Sequence, residues 1–291
     1  MLVNGSSKSN EDVDISAVVE TNVNMLLQYG RENAAGEFLI AVHCLGSTVQ
    51  TVLPNLSWIN PLIEYLPPGW NAVEVSDPSD QDIYCLSPSI SAAALSEPYS
   101  SKTDRPALEN FAKKIEYAVA ERSQDYVFVH AGVVAVNGEL LLFPGESFSG
   151  KSTLVAALVQ QGATYFSDEY AVVTTEGIVL PYPRPISLRT GLYFKEGRTD
   201  LSDFGPSANH TLHGLPASKI MFLTYESESE LQVEAIDYPS ALIELSKNTV
   251  AFRDRPDMSF SYLHNLLNRA QTLRGKRGSA DGAARRIREL L

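Results

Sequence analysis

Residues Gly145-Glu146-Ser147-Phe148-Ser149-Gly150-Lys151-Ser152 carry the spacing G-x-x-x-x-G-K-[ST]. Each residue type in this run has its own chemical use. Glycines at 145 and 150 let the backbone double back, so that successive amides converge on phosphate oxygens. A helix opening at Lys151, with Ser152 and Thr153 in its first turn, directs its positive end at the same anion. Lys151 has the reach for β- and γ-phosphates, and the Ser152 hydroxyl suits a magnesium ion. ATP with Mg²⁺ is therefore the expected cofactor, held by residues 145–153. Asp168 and Glu169 follow, seventeen and eighteen residues after the loop lysine. Two adjacent carboxylates at such a place divide their labour. One holds the metal, directly or through water, and the other takes a proton from an attacking hydroxyl. Arg184 and Arg189 lie in PYPRPISLR, where a proline-stiffened backbone presents guanidiniums to a phosphate or carboxylate. Arg253 and Arg255, around Asp254, are further candidates to reach the phosphates.

The elements that must position these residues are legible from periodicity and breakers. Tyr126–Val129, Gly132–Val136 and Glu139–Phe143 read as three closely spaced apolar strands, with Asn137-Gly138 turning between the last two. His130 then ends the first of them. Ser152–Gln161 reads as the helix after the loop, stopped by Gly162. Ala163–Phe166 and Ala171–Thr174 are strands on either side of the acidic pair. Earlier in the chain, Asp14–Tyr29 has helical spacing, and Phe38–Leu45 and Thr48–Leu53 read as strands. Leu56–Leu66 reads as a helix stopped by Pro67-Pro68-Gly69, and Pro106 opens a helix that runs to Arg122. Later, Lys219–Tyr225 and Leu231–Ala235 read as strands, and Phe260–Leu273 and Ala283–Leu291 as helices. The arginines and lysines from Arg269 to Arg288 read as a solvated helical face. The fold class is therefore α/β, with a smaller α+β region over 1–125 ahead of a nucleotide-binding core over 126–291.

Composition bounds the partners. The chain has 291 residues, with 23 Lys and Arg against 35 Asp and Glu, a net charge of −12. An acidic surface disfavours broad binding to nucleic acid or to anionic membrane, so neither is expected as a partner. The 2 cysteines, Cys44 and Cys85, cannot build a disulfide framework or a cysteine zinc site, and both read as buried thiols. Apolar runs fall far short of a membrane span, and the polar first residues contain no apolar signal segment, which predicts a cytoplasmic location.

The stretch from His130 to Val173, HAGVVAVNGELLLFPGESFSGKSTL followed by GATYFSDEYAVV, resembles the catalytic domain of bacterial HPr kinase/phosphorylase. It is more closely similar to the HPr-kinase-related serine kinases. That similarity extends over nearly the whole chain, including YLPPGW at 65–70 and PYPRPISLR at 181–189. The resemblance implies a P-loop core of the HPr-kinase/PEP-carboxykinase type. It implies that Lys151 and the loop amides hold ATP, and that Ser152 and Asp168 hold Mg²⁺. Glu169, standing where the family has a second aspartate, becomes the proton acceptor. His130 orients or charge-tunes Glu169. The family's later catalytic arginine has no counterpart by spacing, and Arg189, on the proline-stiffened segment, is the candidate to neutralise charge on the transferred phosphoryl group. A further family glutamate falls near Phe194, where the nearest carboxylate is Glu196. The implied substrate is the acceptor serine of a protein or peptide, and the implied assembly a homo-oligomer. For residues 1–125, it is their position ahead of the core that points to substrate recognition. Two rival readings stand beside this kinase: a small-molecule phosphotransferase of the PEP-carboxykinase type, and an ATP-binding regulator without transfer activity.

Overall fold

A computed structural model describes residues 15–33, 36–75, 84–86, 98–146, 149–184, 186–188, 197–199 and 213–291. The expected sites at Ser147, Phe148, Arg189 and Glu196 lie outside the described residues. The first part of the chain runs α1 (Ile15–Tyr29), β1 (Arg31–Glu32), β2 (Phe38–Cys44), β3 (Ser47–Leu53), α2 (Ile59–Ile63), β4 (Asn71–Val73), β5 (Tyr84–Leu86) and α3 (Arg105–Arg122). β2 and β3 form a hairpin in full register from Phe38↔Leu53 to Cys44↔Ser47. The remaining three strands extend it to a five-stranded sheet. The helix expected over 56–66 is divided: Leu56–Trp58 form a 3-10 turn before α2, because the Asn55 side chain accepts from the Ser57 N–H and tightens the first turn.

The second part runs β6 (Val127–Val136), β7 (Glu139–Pro144), α4 (Lys151–Gln160), β8 (Thr164–Ser167), β9 (Tyr170–Val173), β10 (Ile178–Leu180), β11 (Ile186–Leu188), β12 (Gly197–Thr199), β13 (Leu215–Tyr225), β14 (Gln232–Ala235), α5 (Tyr238–Lys247), α6 (Pro256–Leu267), β15 (Gln271–Arg277) and α7 (Ala280–Glu289). The strand order is β10-β9-β6-β7-β13-β15-β14, with β8 also on β6. β13 runs parallel to both β7 and β15, while β6 pairs antiparallel with β7, β8 and β9. Helices cover both faces of this sheet. Alternation along β6 and β7 decides which helix each residue meets. Val127, Val129, Val133, Leu140 and Leu142 pack with α5 and α6. Val134, Val136, Leu141 and Phe143 pack with α4 and α7. The chain is thus a mixed α/β protein. Among the described residues, no helix is long and apolar enough to cross a membrane.

Two expectations are corrected. The strands expected at 126–129 and 132–136 are one strand, β6, so His130 sits mid-strand rather than at an end. β9 pairs with its first half and β7 and β8 with its second, which carries the ladder through without a break. The helix expected to continue to Leu273 stops at Leu267, and 271–277 form β15. There Leu273 and Arg277 are buried while Arg274 and Lys276, on the opposite face, are exposed, an alternation of period two. The basic run is therefore partly a strand, and one of its arginines points inward.

β6 also joins the two parts of the chain. Its residue Phe128 belongs to a core cluster with Trp58 of the 3-10 turn, Leu62 of α2 and Phe111 and Ile115 of α3. Tyr170 and Tyr182 complete this junction, each meeting Phe128 edge to face. That packing continues directly into the candidate site, two residues along the same face of β6.

Candidate functional site

Along one face of β6 the residues run Phe128, His130, Gly132, Val134. Phe128 is in the first core and Val134 lies under α4. His130 and Gly132 between them form the floor of the site. A Cβ on Gly132 would lie 2.6 Å from Cγ2 of Val155, so only glycine lets α4 approach this closely. The backbone of His130 is held from both sides: its N–H donates to Asn248 O at 2.7 Å, and its carbonyl accepts from Gly145 N at 3.2 Å. The first glycine of the loop is thereby tied to the floor.

The loop ends at Gly150, the N-cap of α4, with φ 82 and no side chain capping the helix. The amides of the first turn, at Lys151, Ser152 and Thr153, thus lack intrahelical acceptors, which leaves a positive helix end. The loop carbonyls are instead covered by cations. Lys151 Nζ donates to Gly145 O and to Glu146 O, each at 2.8 Å. Arg277, reaching across from β15, donates to Gly150 O at 2.9 Å and Ser149 O at 3.3 Å. Its guanidinium also lies over the Tyr225 ring at 5.7 Å. Burial lowers the pKa of Lys151, against the pull of Glu169, Asp168 and Glu146. Gly150 faces two constraints at once, because its φ is left-handed and a Cβ would lie 2.4 Å from Arg277 Nη2. Gly150→Ala is expected to lower unfolding stability by about 2 kcal/mol. Chemical denaturation checks this, through a lower midpoint at unchanged m.

The acidic pair sits between β8 and β9, facing the loop. Its two members occupy different environments. Asp168 is buried, with 2% side-chain exposure, and Glu169 keeps 34%. Asp168 accepts from Tyr165 Oη at 2.9 Å, and the Ser152 hydroxyl lies on its side of the loop. Burial raises its pKa, while Arg184, Ser152 and Tyr165 stabilise the carboxylate. Glu169 is fixed by its backbone, whose carbonyl accepts from Ala131 N at 3.1 Å. Its Oε1 stands 3.8 Å from His130 Nδ1. Burial lowers the His130 pKa below 6.5, with Glu169 opposing and Lys151 reinforcing the shift. The imidazole is therefore neutral at pH 7, and Glu169 keeps a neutral polar neighbour rather than a salt-bridge partner.

The chain matches no family model and no curated protein. What the structure brings together is clear from its own geometry. His130, Gly145, Ser149, Gly150, Lys151, Ser152, Asp168 and Glu169 meet where the N-terminal end of α4 lies over the middle of β6. Arg184 is turned away from any phosphate role: it is bonded to Glu116 of α3 and lies 3.9 Å from Asp168. Arg255 is likewise committed elsewhere, donating to the carbonyls of Ala120, Glu121 and Ser123 at the end of α3. Three contributors were not anticipated: Glu116, Tyr165 and Arg277. Glu116 had a legible signal, a carboxylate between Ala112 and Val119–Ala120 on the apolar stripe of α3.

Whether the site suits magnesium is a matter of its donors. Among the described residues no group of three His, Cys, Asp or Glu is disposed to hold a metal. Magnesium needs no such cage, since it takes one or two protein oxygens and completes its shell with water and phosphate. The neighbouring Ser152 hydroxyl and Asp168 carboxylate offer that number, at the foot of a loop suited to phosphate. Ser149 Oγ, buried and without a hydrogen-bond partner among the described residues, is a further polar atom within the same loop. The residues fit the ion.

Proposed function

We propose that the protein is an ATP- and Mg²⁺-dependent kinase that transfers the γ-phosphate to a hydroxyl, the serine of a protein or peptide, on a P-loop core similar to that of the HPr-kinase-related enzymes. One observation carries the proposal: Lys151 and Ser152, in the first turn of α4, stand close enough to the acidic pair for Glu169 and Asp168 to pull the Lys151 pKa up against burial and for Ser152 to stabilise the Asp168 carboxylate. A phosphate held by that turn is then within reach of both carboxylates.

Each residue has a physical task. The α4 amides and Lys151 bind the phosphates, with Lys151 exchanging two loop carbonyls for phosphate oxygens. Ser152 and Asp168 would hold Mg²⁺, which supplies charge neutralisation on the phosphate oxygens. Glu169, exposed enough to meet a second substrate, accepts the proton of the attacking hydroxyl at its carboxylate. His130 stays neutral and limits the rotation of Glu169. Arg277 holds the loop backbone so that its amides do not have to reorganise on binding. Catalysis of this kind is positioning and electrostatics.

The test is ATP labelled at the γ-phosphate, incubated with magnesium and serine-containing peptides. Acid-stable phosphoserine is the expected product. Release of free phosphate alone, or absence of calorimetric heat with ATP and magnesium, would overturn the proposal.

A further inference from the structure

Glu116 has no reason to be where it is on packing grounds. It lies on α3, in the first part of the chain, and is 4% exposed among apolar neighbours. A buried carboxylate is costly, and an apolar side chain of similar size would satisfy the helix face better. Its partner is Arg184, whose Nη1 donates to Glu116 Oε2, with 12% and 6% side-chain exposure for the two. The Arg184 Nε stands 3.9 Å from Asp168 Oδ1, beyond hydrogen-bond distance. Tyr165 Oη bridges the same two residues, lying 2.9 Å from Asp168 Oδ1 and 3.0 Å from the Arg184 carbonyl. Two buried carboxylates thus compete for one guanidinium, and Glu116 holds the shorter bond.

The competition has a consequence for Asp168. An arginine free of Glu116 would engage Asp168 through paired hydrogen bonds, the geometry a guanidinium favours. A carboxylate so engaged has little capacity left for a cation. We infer that Glu116 is a positioning residue, which holds Arg184 off Asp168 and so keeps the Ser152–Asp168 pair able to take up magnesium with the nucleotide. This rests on the kinase reading above and deepens it: the first part of the chain contributes to the metal site, through α3.

The experiment is calorimetry of ATP binding at pH 8, with and without magnesium, on the full-length protein and variants. The quantity read is the gain in ATP affinity that magnesium confers. Glu116→Gln is expected to leave metal-free ATP affinity within about 2-fold and to cut the magnesium gain about 10-fold, as for partners that orient metal ligands elsewhere. On an Asp168→Asn background the same change is expected to have no further effect, since both act on one ligand. An unchanged magnesium gain in Glu116→Gln would overturn the inference, as would an equal loss on the Asp168→Asn background. If Glu116→Gln does not fold, Glu116→Asp decides. It keeps the charge but is one methylene too short to hold Arg184 in place, and a loss of the magnesium gain in the same direction is expected; an unchanged gain refutes the inference. A wild-type protein with no magnesium gain at all overturns the kinase reading, and this inference with it.

Discussion

Replacing Lys151 by Ala is expected to lower turnover about 10²–10³-fold while the protein remains folded. The size follows from the setting. A charged donor aimed at developing phosphate charge in a half-buried site contributes several kcal/mol to the transition state. Among the described residues, the amine bonds only to carbonyls of its own loop, Gly145 O and Glu146 O. Those carbonyls can turn to water, so little stability is lost with the side chain. Burial already disfavours the ammonium here, and Glu169, Asp168 and Glu146 oppose that shift. A phosphate would take over that role. The measurement is single-turnover transfer from γ-labelled ATP, alongside a thermal melt. Full activity in a folded Lys151→Ala variant would show that the loop is not the phosphate site.

Changing Glu169 to Gln is expected to slow transfer about 10²–10⁴-fold, the usual contribution of a general base, with ATP affinity held within about 2-fold. The separation of binding from chemistry rests on the different settings of the two acids. Asp168 is sequestered with Tyr165, Arg184 and Ser152, whereas Glu169 is one-third exposed and stands 3.8 Å from His130. Glutamine preserves shape and hydrogen bonding but cannot take the proton. Calorimetry and transfer assays on the same sample check both halves. Normal turnover with weakened ATP binding would exclude the base role and assign Glu169 to the nucleotide.

Much of this site could be read from local signals, because its chemistry is compressed into short stretches of chain. The loop residues, the helix behind them and the acidic pair all lie within 145–169, and turn and cap residues mark the element ends. Asn137 and Gly138 do adopt positive φ at the hairpin, and Gly162 does so after α4. What escaped reading depends on partners distant in sequence. β6 is a single strand only because β9 pairs with one half and β7 with the other. Residues 271–277 become a strand because β13 lies parallel beside them, a pairing that local propensity does not encode. Arg277 looked like one cation among many until that strand turned it inward against Ser149 O and Gly150 O. Glu116 is separated from its guanidinium partner by 68 positions, so only the folded chain brings them together.

The run of side chains along β6 bears on how the protein can be dissected. Phe128, His130 and Gly132 stand on one face of one strand, serving in turn the first core, the floor of the candidate site and the helix behind the loop. A fragment beginning at residue 126 would strip Phe128, Tyr170 and Tyr182 of their apolar cover and leave Arg184 without Glu116. The halves are consequently not interchangeable modules: any lineage that exchanged the leading segment for another would have to rebuild the seam before it could alter what is recognised.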